Sequence, residues 1–280
     1  MPLAKLKIYV SRFTTKDFTG KFVKSILMNA NPELQGIFEG KDQPTPKPIR
    51  ITPLLSEGDE RPIYPRIIIT RFGESSGRPK QEPKPISVGG AYNLYIGYRE
   101  PLELQVALAI SKLTSGLEFN YGSSRVKVRL IKYERVDTSV PEDFSSIKVY
   151  FITPALFVDP FAKISLAESR DRARRFIPYP AVVFSVNVYD IFKDEYVRNI
   201  MRLSYALVES HTILNTVTKT WYYYDGKWLP GVLGYAKYFL RRNTPEGARR
   251  AIREILRDAM EMGVGSGRAA GFGFVKIKFE

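Results

Sequence analysis

The sequence has 280 residues, of which 43 are Lys or Arg and 29 are Asp or Glu, so its formal net charge at pH 7 is +14. It has no cysteine, which excludes a disulfide framework and thiolate metal sites. No apolar run approaches the roughly 18 residues that a membrane span requires. A basic excess of this size attracts polyanions, so nucleic acid is the first partner to consider and an anionic membrane surface the second.

The N-terminal half alternates between strand and helix patterns. The start, MPLAKLKIYVSRF, lacks the long apolar core of a signal peptide, so we expect a cytoplasmic protein that enters no membrane. Apolar residues at four-residue spacing, Phe18, Phe22 and Ile26, predict the first helix. The remaining segments predict, in order, strands at 5–11, 49–51, 65–71 and 91–98, a helix at 101–113 and a strand at 125–136. This β-α-β-β-α-β order is the plan of a ferredoxin-like domain.

The C-terminal half contains a second set of strands and helices. The segments predict a strand at IKVYFITP, a helix at 181–198, strands at 212–224 and 227–240, and a last strand at FVKIKFE. The last helix is predicted from Pro245 to Met262, with Thr244 as its N-cap. We therefore predict an α+β fold of two tandem ferredoxin-like domains, an N-terminal one at 1–139 and a C-terminal one at 140–280.

A glycine-rich segment, 263–274, separates the last helix from the last strand. Its five glycines are Gly263, Gly265, Gly267, Gly271 and Gly273. Exposed backbone N–H groups in such a segment suit phosphate oxygens. A dinucleotide-binding loop is excluded, because that fingerprint follows a strand and opens a helix. A turn that only packs the helix against the strand is the structural alternative.

The pattern G-x-G-x-x-x-x-x-G-x-G between a helix and the last strand resembles the glycine-rich loop of the repeat-associated RNA-binding (RAMP) superfamily. The segments KPIRITPLL (47–55) and LPGVLGYAKYFL (229–240) resemble motifs of the CRISPR repeat endoribonucleases in that superfamily. TGKFVKSIL (19–27) and PYPAVVFSVNVYDIF (178–192) resemble the crenarchaeal members that lack the usual catalytic histidine. The resemblance spans nearly the whole chain.

The resemblance implies cleavage of precursor CRISPR RNA at each repeat without metal or cofactor. The 2′-hydroxyl would attack the adjacent phosphate and leave a 2′,3′-cyclic phosphate and a 5′-hydroxyl. The implied partner is repeat RNA, and a homodimer and a CRISPR interference complex are compatible with this branch. A non-catalytic RAMP subunit that only holds repeat RNA is the alternative.

The resemblance assigns catalysis to Lys21, Lys24 and Lys47. Relatives place a histidine near the position of Phe38, whereas the one histidine of this sequence is His211. Lys21 and Lys24 lie three residues apart, so they share a helix face. An ammonium group is a weak base at neutral pH, but it is a good phosphate clamp and a proton donor. The alternative is an ordinary solvated helix face.

Arginines are the candidates for binding the RNA backbone. Arg268 lies inside the glycine-rich segment, and its guanidinium suits two phosphate oxygens at once. Arg50 is a second candidate, although its side chain could point either way along its strand. A basic run adds Arg170, Arg172, Arg174 and Arg175. The aromatic run Trp221–Tyr224 suits either base stacking or sheet packing.

Overall fold

A computed structural model describes residues 3–40, 45–65, 79, 81–163 and 174–280. These residues form two compact units. The first is drawn from Met1–Val136 with two short segments, Thr220–Gly231 and Ala269–Gly271. The second is drawn from Asp137–Lys219, Val232–Arg268 and Phe272–Glu280. The first unit includes two segments of the C-terminal half, so the two units are not divided at a single point of the sequence. The boundary between residues 139 and 140 therefore stays a prediction.

The first unit is an antiparallel sheet with helices on one face. Its elements are β1 (Leu3–Thr15), α1 (Gly20–Ala30), α2 (Glu33–Glu39), β2 (Ile49–Ile51), β3 (Ile86–Tyr98), α3 (Glu103–Ser115), β4 (Leu117–Tyr121) and β5 (Ser124–Val136). The strand order is β2-β3-β1-β5-β4. Without β4, this is the order of a ferredoxin-like sheet. Alternate residues of β1, among them Leu6, Ile8 and Val10, are fully buried in the core beneath the helices.

The second unit follows the same plan with more helices. Its elements are β6 (Ser146–Ala155), β7 (Phe157–Val158), β8 (Arg174–Arg175), α4 (Pro180–Val183), α5 (Ser185–Phe192), α6 (Tyr196–Ala206), β9 (Leu207–Glu209), α7 (Ile213–Thr216), β10 (Val217–Tyr224), β11 (Lys227–Leu240), α8 (Glu246–Met262) and β12 (Val275–Phe279). The parts of β10 and β11 within Thr220–Gly231 are grouped with the first unit. The strand order is β10-β11-β6-β12. In α8, Ala248, Ile252, Ile255 and Ala259 form the buried face, as the apolar spacing predicts.

Four predicted elements differ from the structure or lie outside it. The helix predicted at 181–198 is divided into α4, α5 and α6. The first residues of the strand predicted at 212–224 instead form α7. Thr244 does not cap α8, because Pro245 occupies the N-cap position and the Thr244 hydroxyl donates to the Arg241 carbonyl at 2.7 Å. The strand predicted at 65–71 lies almost entirely outside the described residues. Among the residues that the structure describes, no helix is long and apolar enough to cross a membrane.

Candidate active site

Helix α1 presents Lys21 and Lys24 on the face opposite its buried residues. Phe22, Val23 and Ile26 are fully buried in the core of the first unit. The two lysine side chains keep 36% and 19% exposure, respectively. The apolar spacing of the helix therefore places both ammonium groups where a ligand could reach them.

Lys24 and Lys47 meet at the C-terminal end of α2. The Lys24 Nζ lies 3.1 Å from Glu39 Oε1, and the Lys47 ammonium donates to the backbone carbonyl of Phe38. The last carbonyls of a helix lack partners within the helix and carry partial negative charge, so they attract cations. Lys47 thus satisfies one of these carbonyls at the end of α2.

The environment of Lys47 favours the loss of its proton. Burial lowers the pKa of Lys47, the nearby positive charge of Lys24 lowers it further, and the Glu39 carboxylate opposes both effects. The net result is a pKa below the ordinary value of a lysine. An ammonium of lowered pKa is a better proton donor at neutral pH than an ordinary lysine, because its pKa lies nearer the operating pH.

Lys21 has the opposite environment. Its Nζ lies 2.8 Å from Asp225 Oδ1 and 3.3 Å from Asp17 Oδ2. Burial alone would lower the pKa of Lys21, but the hydrogen bonds and charges of the two aspartates outweigh it, so the pKa is raised. The pKa of Asp225 is lowered, first by its hydrogen bond to Lys21, and the charge of Lys24 also contributes. The structure therefore joins Lys21, Lys24 and Lys47 in one charge network with three carboxylates.

An inner part of the glycine-rich segment, Ala269–Gly271, belongs to the first unit and contacts the start of α1. A Cβ at Gly20 would lie 2.1 Å from the Ala270 carbonyl oxygen, and one at Gly271 would lie 3.0 Å from the Gly20 Cα. Gly271 has a φ of 100°, in the region that favours glycine. A side chain at either position would push this backbone away from the helix that carries Lys21 and Lys24.

The rest of the glycine-rich segment forms internal backbone contacts in the second unit. The Val264 N–H donates to the Gly273 carbonyl at 2.8 Å, and the Gly273 N–H donates to the Pro154 carbonyl at 3.0 Å. A Cβ at Gly273 would lie 1.9 Å from the Val264 oxygen. The N–H of Gly263 also donates within the chain, as the C-cap of α8. Glycine therefore serves close backbone packing here, and RNA binding by the five glycines stays a prediction.

Arg268 is buried rather than exposed to a ligand. Its side chain is 3% exposed and lies 3.0 Å from Asp190 and 3.8 Å from Asp258. Asp258 is 2% exposed and also accepts a hydrogen bond from the Asn187 amide at 2.7 Å. Two carboxylates thus already balance this guanidinium. The binding of two phosphate oxygens by Arg268 stays a prediction. It would require the guanidinium to leave these carboxylates for the phosphate.

The other predicted arginines occupy different environments. Arg50 lies on β2 and is fully buried. Arg170 and Arg172 lie outside the described residues. Arg174 is described by its backbone alone, in β8, and Arg175 is exposed and forms an ion pair with Asp159. Of the basic run, Arg175 is therefore the guanidinium that the structure describes at the surface.

The one histidine lies at the surface, whereas two rings of the aromatic run Trp221–Tyr224 are buried. His211 is exposed in the turn before α7. In the run Trp221–Tyr224, Tyr222 is fully buried and its ring centre lies 5.6 Å from that of Phe18. Tyr223 is 4% exposed. These two rings pack in the first unit, which favours the packing interpretation over base stacking.

The carboxylates of the charge network are not among the residues predicted from the sequence. Asp17 precedes Lys21 by four residues, a spacing that signals an ion pair along a helix. Glu39 lies 15 residues from Lys24, and Asp225 lies 204 residues from Lys21. Such separations carry no sequence signal, so only the fold reveals these pairs. Within the described ranges, no three His, Cys, Asp or Glu side chains form a group suited to a metal ion.

Solved structures of Cas6 and RAMP proteins resemble this chain over almost its whole length. A product complex of Thermus thermophilus Cas6 has a TM-score of 0.64 and 14% identity, and the alignment covers 99% of this chain and 98% of that one. An RAMP protein that binds different RNA substrates has a TM-score of 0.57 and 14% identity, with 99% and 100% covered. The product of a Cas6-related gene from Pyrococcus furiosus has a TM-score of 0.54 and 13% identity, with 99% of each chain covered.

No protein-family model and no curated protein sequence matches the chain. At 13–14% identity, the likeness to the solved structures shows the fold. The predicted α+β fold of tandem ferredoxin-like domains, shared with RAMP and Cas6 proteins, is confirmed.

Proposed function

We propose that this chain is an endoribonuclease that cuts CRISPR repeat RNA in precursor transcripts without a metal ion. The observation that carries the proposal is the meeting of Lys24 and Lys47 at the end of α2, on a fold whose solved examples include a Cas6 product complex. The net charge of +14 supports binding of a polyanion. The product would be mature guide RNA.

The chemistry has three requirements, and lysines suit two of them. The 2′-oxygen forms a bond to the adjacent phosphorus as the bond to the 5′-oxygen breaks, so the two oxygens must lie in line. Charge on the phosphorane must be balanced, and a proton must reach the leaving 5′-oxygen. The 2′-hydroxyl proton passes to solvent. The products are a 2′,3′-cyclic phosphate and a 5′-hydroxyl.

The three lysines have different environments, and these indicate which lysine fills each role. Lys47 has the lowered pKa, so we assign it the proton for the 5′-oxygen. Lys21 and Lys24 are held beside carboxylates and supply positive charge to the phosphate. General acid catalysis contributes about 10²–10⁴-fold to the rate, so an enzyme that relies on lysine rather than histidine should cut slowly.

The competing function is a non-catalytic RAMP subunit that binds repeat RNA. The observation in its favour is that carboxylates already neutralise Lys21 and Lys24. Repeat RNA must displace these carboxylates, or pull the lysines from them, before either lysine can serve a phosphate. A homodimer and a place in an interference complex are further proposals, and light scattering of the purified protein tests the first.

One experiment separates an enzyme from a binder. Purified protein is incubated with end-labelled repeat RNA in EDTA, and a second RNA carries a 2′-deoxy nucleotide at the cut position. The proposal expects a fragment that ends in a cyclic phosphate from the first RNA and none from the second. Intact RNA that migrates more slowly with protein would instead support the binder.

A further inference from the structure

The sheet of the second unit has an outer face that carries lysines and aromatic rings. Strand β6 alternates, so that Val149 and Phe151 are buried in the core while Lys148 and Tyr150 point to the other side. Both of these outward side chains are partly exposed. None of the residues on this face belongs to the charge network at α1 and α2.

Three lysines lie side by side across three strands of this face. Lys148 on β6 pairs with Lys237 on β11 and with Lys278 on β12. Like charges directly opposite each other destabilise a sheet. Glu280 lies 2.5 Å from Lys237 and balances part of this charge. A row of cations that costs stability is expected where an anionic ligand offsets the cost.

The adjacent row contains an aromatic pair. Tyr150 on β6 lies opposite Tyr235 on β11 and opposite Lys276 on β12. The two tyrosine ring centres are 5.7 Å apart, and both rings are partly exposed. The Lys148 Nζ lies 3.8 Å from the centre of the Tyr235 ring and 5.2 Å from that of Tyr150. The central strands thus present two neighbouring rings with a cation beside them.

A third ring extends this face along β11. Phe239 is 45% exposed, although a phenyl ring has no polar group to gain from contact with water. The Lys237 Nζ lies 5.3 Å from its ring centre. Rings and ammonium groups therefore alternate along β11, in the order Tyr235, Lys237 and Phe239.

Protection of a sheet edge explains only part of this pattern. Lysines on an edge strand discourage pairing with another sheet, and β12 is an edge strand. This accounts for Lys276 and Lys278. It does not account for Lys148, because β6 is paired on both sides. It also leaves the exposed rings unexplained.

Single-stranded nucleic acid matches both features. Unpaired bases stack on aromatic rings, and their phosphates bind lysines beside the rings. A duplex has no exposed base faces to stack. We propose that this face binds single-stranded RNA, with two bases on Tyr150 and Tyr235 and the backbone along Lys148, Lys276 and Lys278. The choice of RNA rests on the proposed function, whereas the binding does not depend on cleavage.

A short single-stranded probe tests this surface apart from repeat cleavage. The probe is a twelve-nucleotide oligouridylate with one 2-aminopurine, whose fluorescence falls when the base stacks. Affinity is measured by anisotropy for the full chain and for the double variants Tyr150→Leu/Tyr235→Leu and Tyr150→Phe/Tyr235→Phe. Leucine retains apolar bulk without a ring, and phenylalanine retains the ring. A twelve-base-pair RNA duplex is the matched control ligand.

The expected result is quenching by the wild-type chain and by the Phe variant. The Leu variant should lose the quenching and bind about 5- to 150-fold more weakly per stacked base. Its affinity for the duplex should stay unchanged. Lys148→Gln should keep the quenching and reduce the slope of log affinity against log salt by about 0.7. This variant also tests the surface if the Leu variant does not fold.

Wild-type binding without quenching, or equal affinity and quenching in the Leu variant, would overturn the proposal. The same outcome would direct attention to a protein partner for this face. Cleavage of repeat RNA is scored separately. If repeat RNA stays uncut while the probe stacks, the proposed function fails and the RNA-binding face stands. If repeat RNA is cut while the Leu variant binds the probe normally, the reverse holds.

Discussion

Removal of the Arg268 side chain should destabilise the second unit strongly. Arg268 and Asp258 are 3% and 2% exposed, so the Arg268→Ala variant removes a cation that lies 3.8 Å from a buried carboxylate. Breaking a buried pair by removing one partner costs roughly 3–5 kcal/mol. At about 2–4 °C for each kcal/mol, the unfolding temperature should fall by roughly 6–20 °C.

Urea unfolding followed by circular dichroism measures this cost. The matched control is Arg257→Ala, because Arg257 is an exposed arginine of the same helix that carries Asp258. The control should change stability by no more than about 0.5 kcal/mol. Arg268→Met with Asp258→Asn replaces the charges with neutral groups and should recover much of the loss.

The opposite pattern would refute this reasoning. If Arg268→Ala is as stable as Arg257→Ala but binds repeat RNA far more weakly, the guanidinium serves the RNA. The two carboxylates would then be exchangeable partners of Arg268 rather than structural ones.

Three further predictions concern the protonation of Lys47, the salt dependence of RNA binding and the packing of Gly273. If Lys47 must be protonated, the cleavage rate should fall as the pH rises. The midpoint of that fall should lie below about 10.4, the pKa of an ordinary lysine. Glu39→Gln should move that fall to lower pH in single-turnover rates, because Glu39 raises the pKa of Lys47; a shift to higher pH would contradict this. The log–log salt slope of RNA affinity should be about −0.7 for each single-strand phosphate contact, and a flat response would exclude backbone-dominated binding. Gly273→Ala should cost at least about 1–3 kcal/mol, because its Cβ would lie 1.9 Å from a backbone oxygen at a φ of 71°. Gly247→Ala, in open space on α8, should cost nothing, and equal urea midpoints for the two variants would contradict the packing role.

Much of the fold follows from apolar periodicity. Alternation in β1 and β6 and four-residue spacing in α8 are strong signals, because each element buries one face against a core. Helix α2 is not assigned from the sequence, since it has seven residues and contains Gly36, which disfavours a helix. The break between α5 and α6 at Lys193–Glu195 is not predicted either, because this charged run contains neither Gly nor Pro to signal the end of a helix.

The site was predictable only in part. The positions of the lysines follow from the resemblance, and their exposure follows from the helix stripe. Their carboxylate partners, Glu39 and Asp225, lie too far away along the chain to be inferred. Arg268 illustrates the converse, because flanking glycines suggest exposure, whereas Asp190, 78 residues earlier, holds its side chain in the interior.

Single-turnover cleavage of repeat RNA by the Lys47→Ala variant, measured beside its RNA affinity, tests the central claim most directly. With protein in saturating excess, the cleavage rate constant should fall by about 10²–10⁴-fold while the dissociation constant changes far less. Lys112→Ala, which removes an exposed lysine from α3, should alter neither quantity appreciably. A cleavage rate that survives the loss of Lys47, or that falls only as far as the affinity does, would contradict the catalytic assignment.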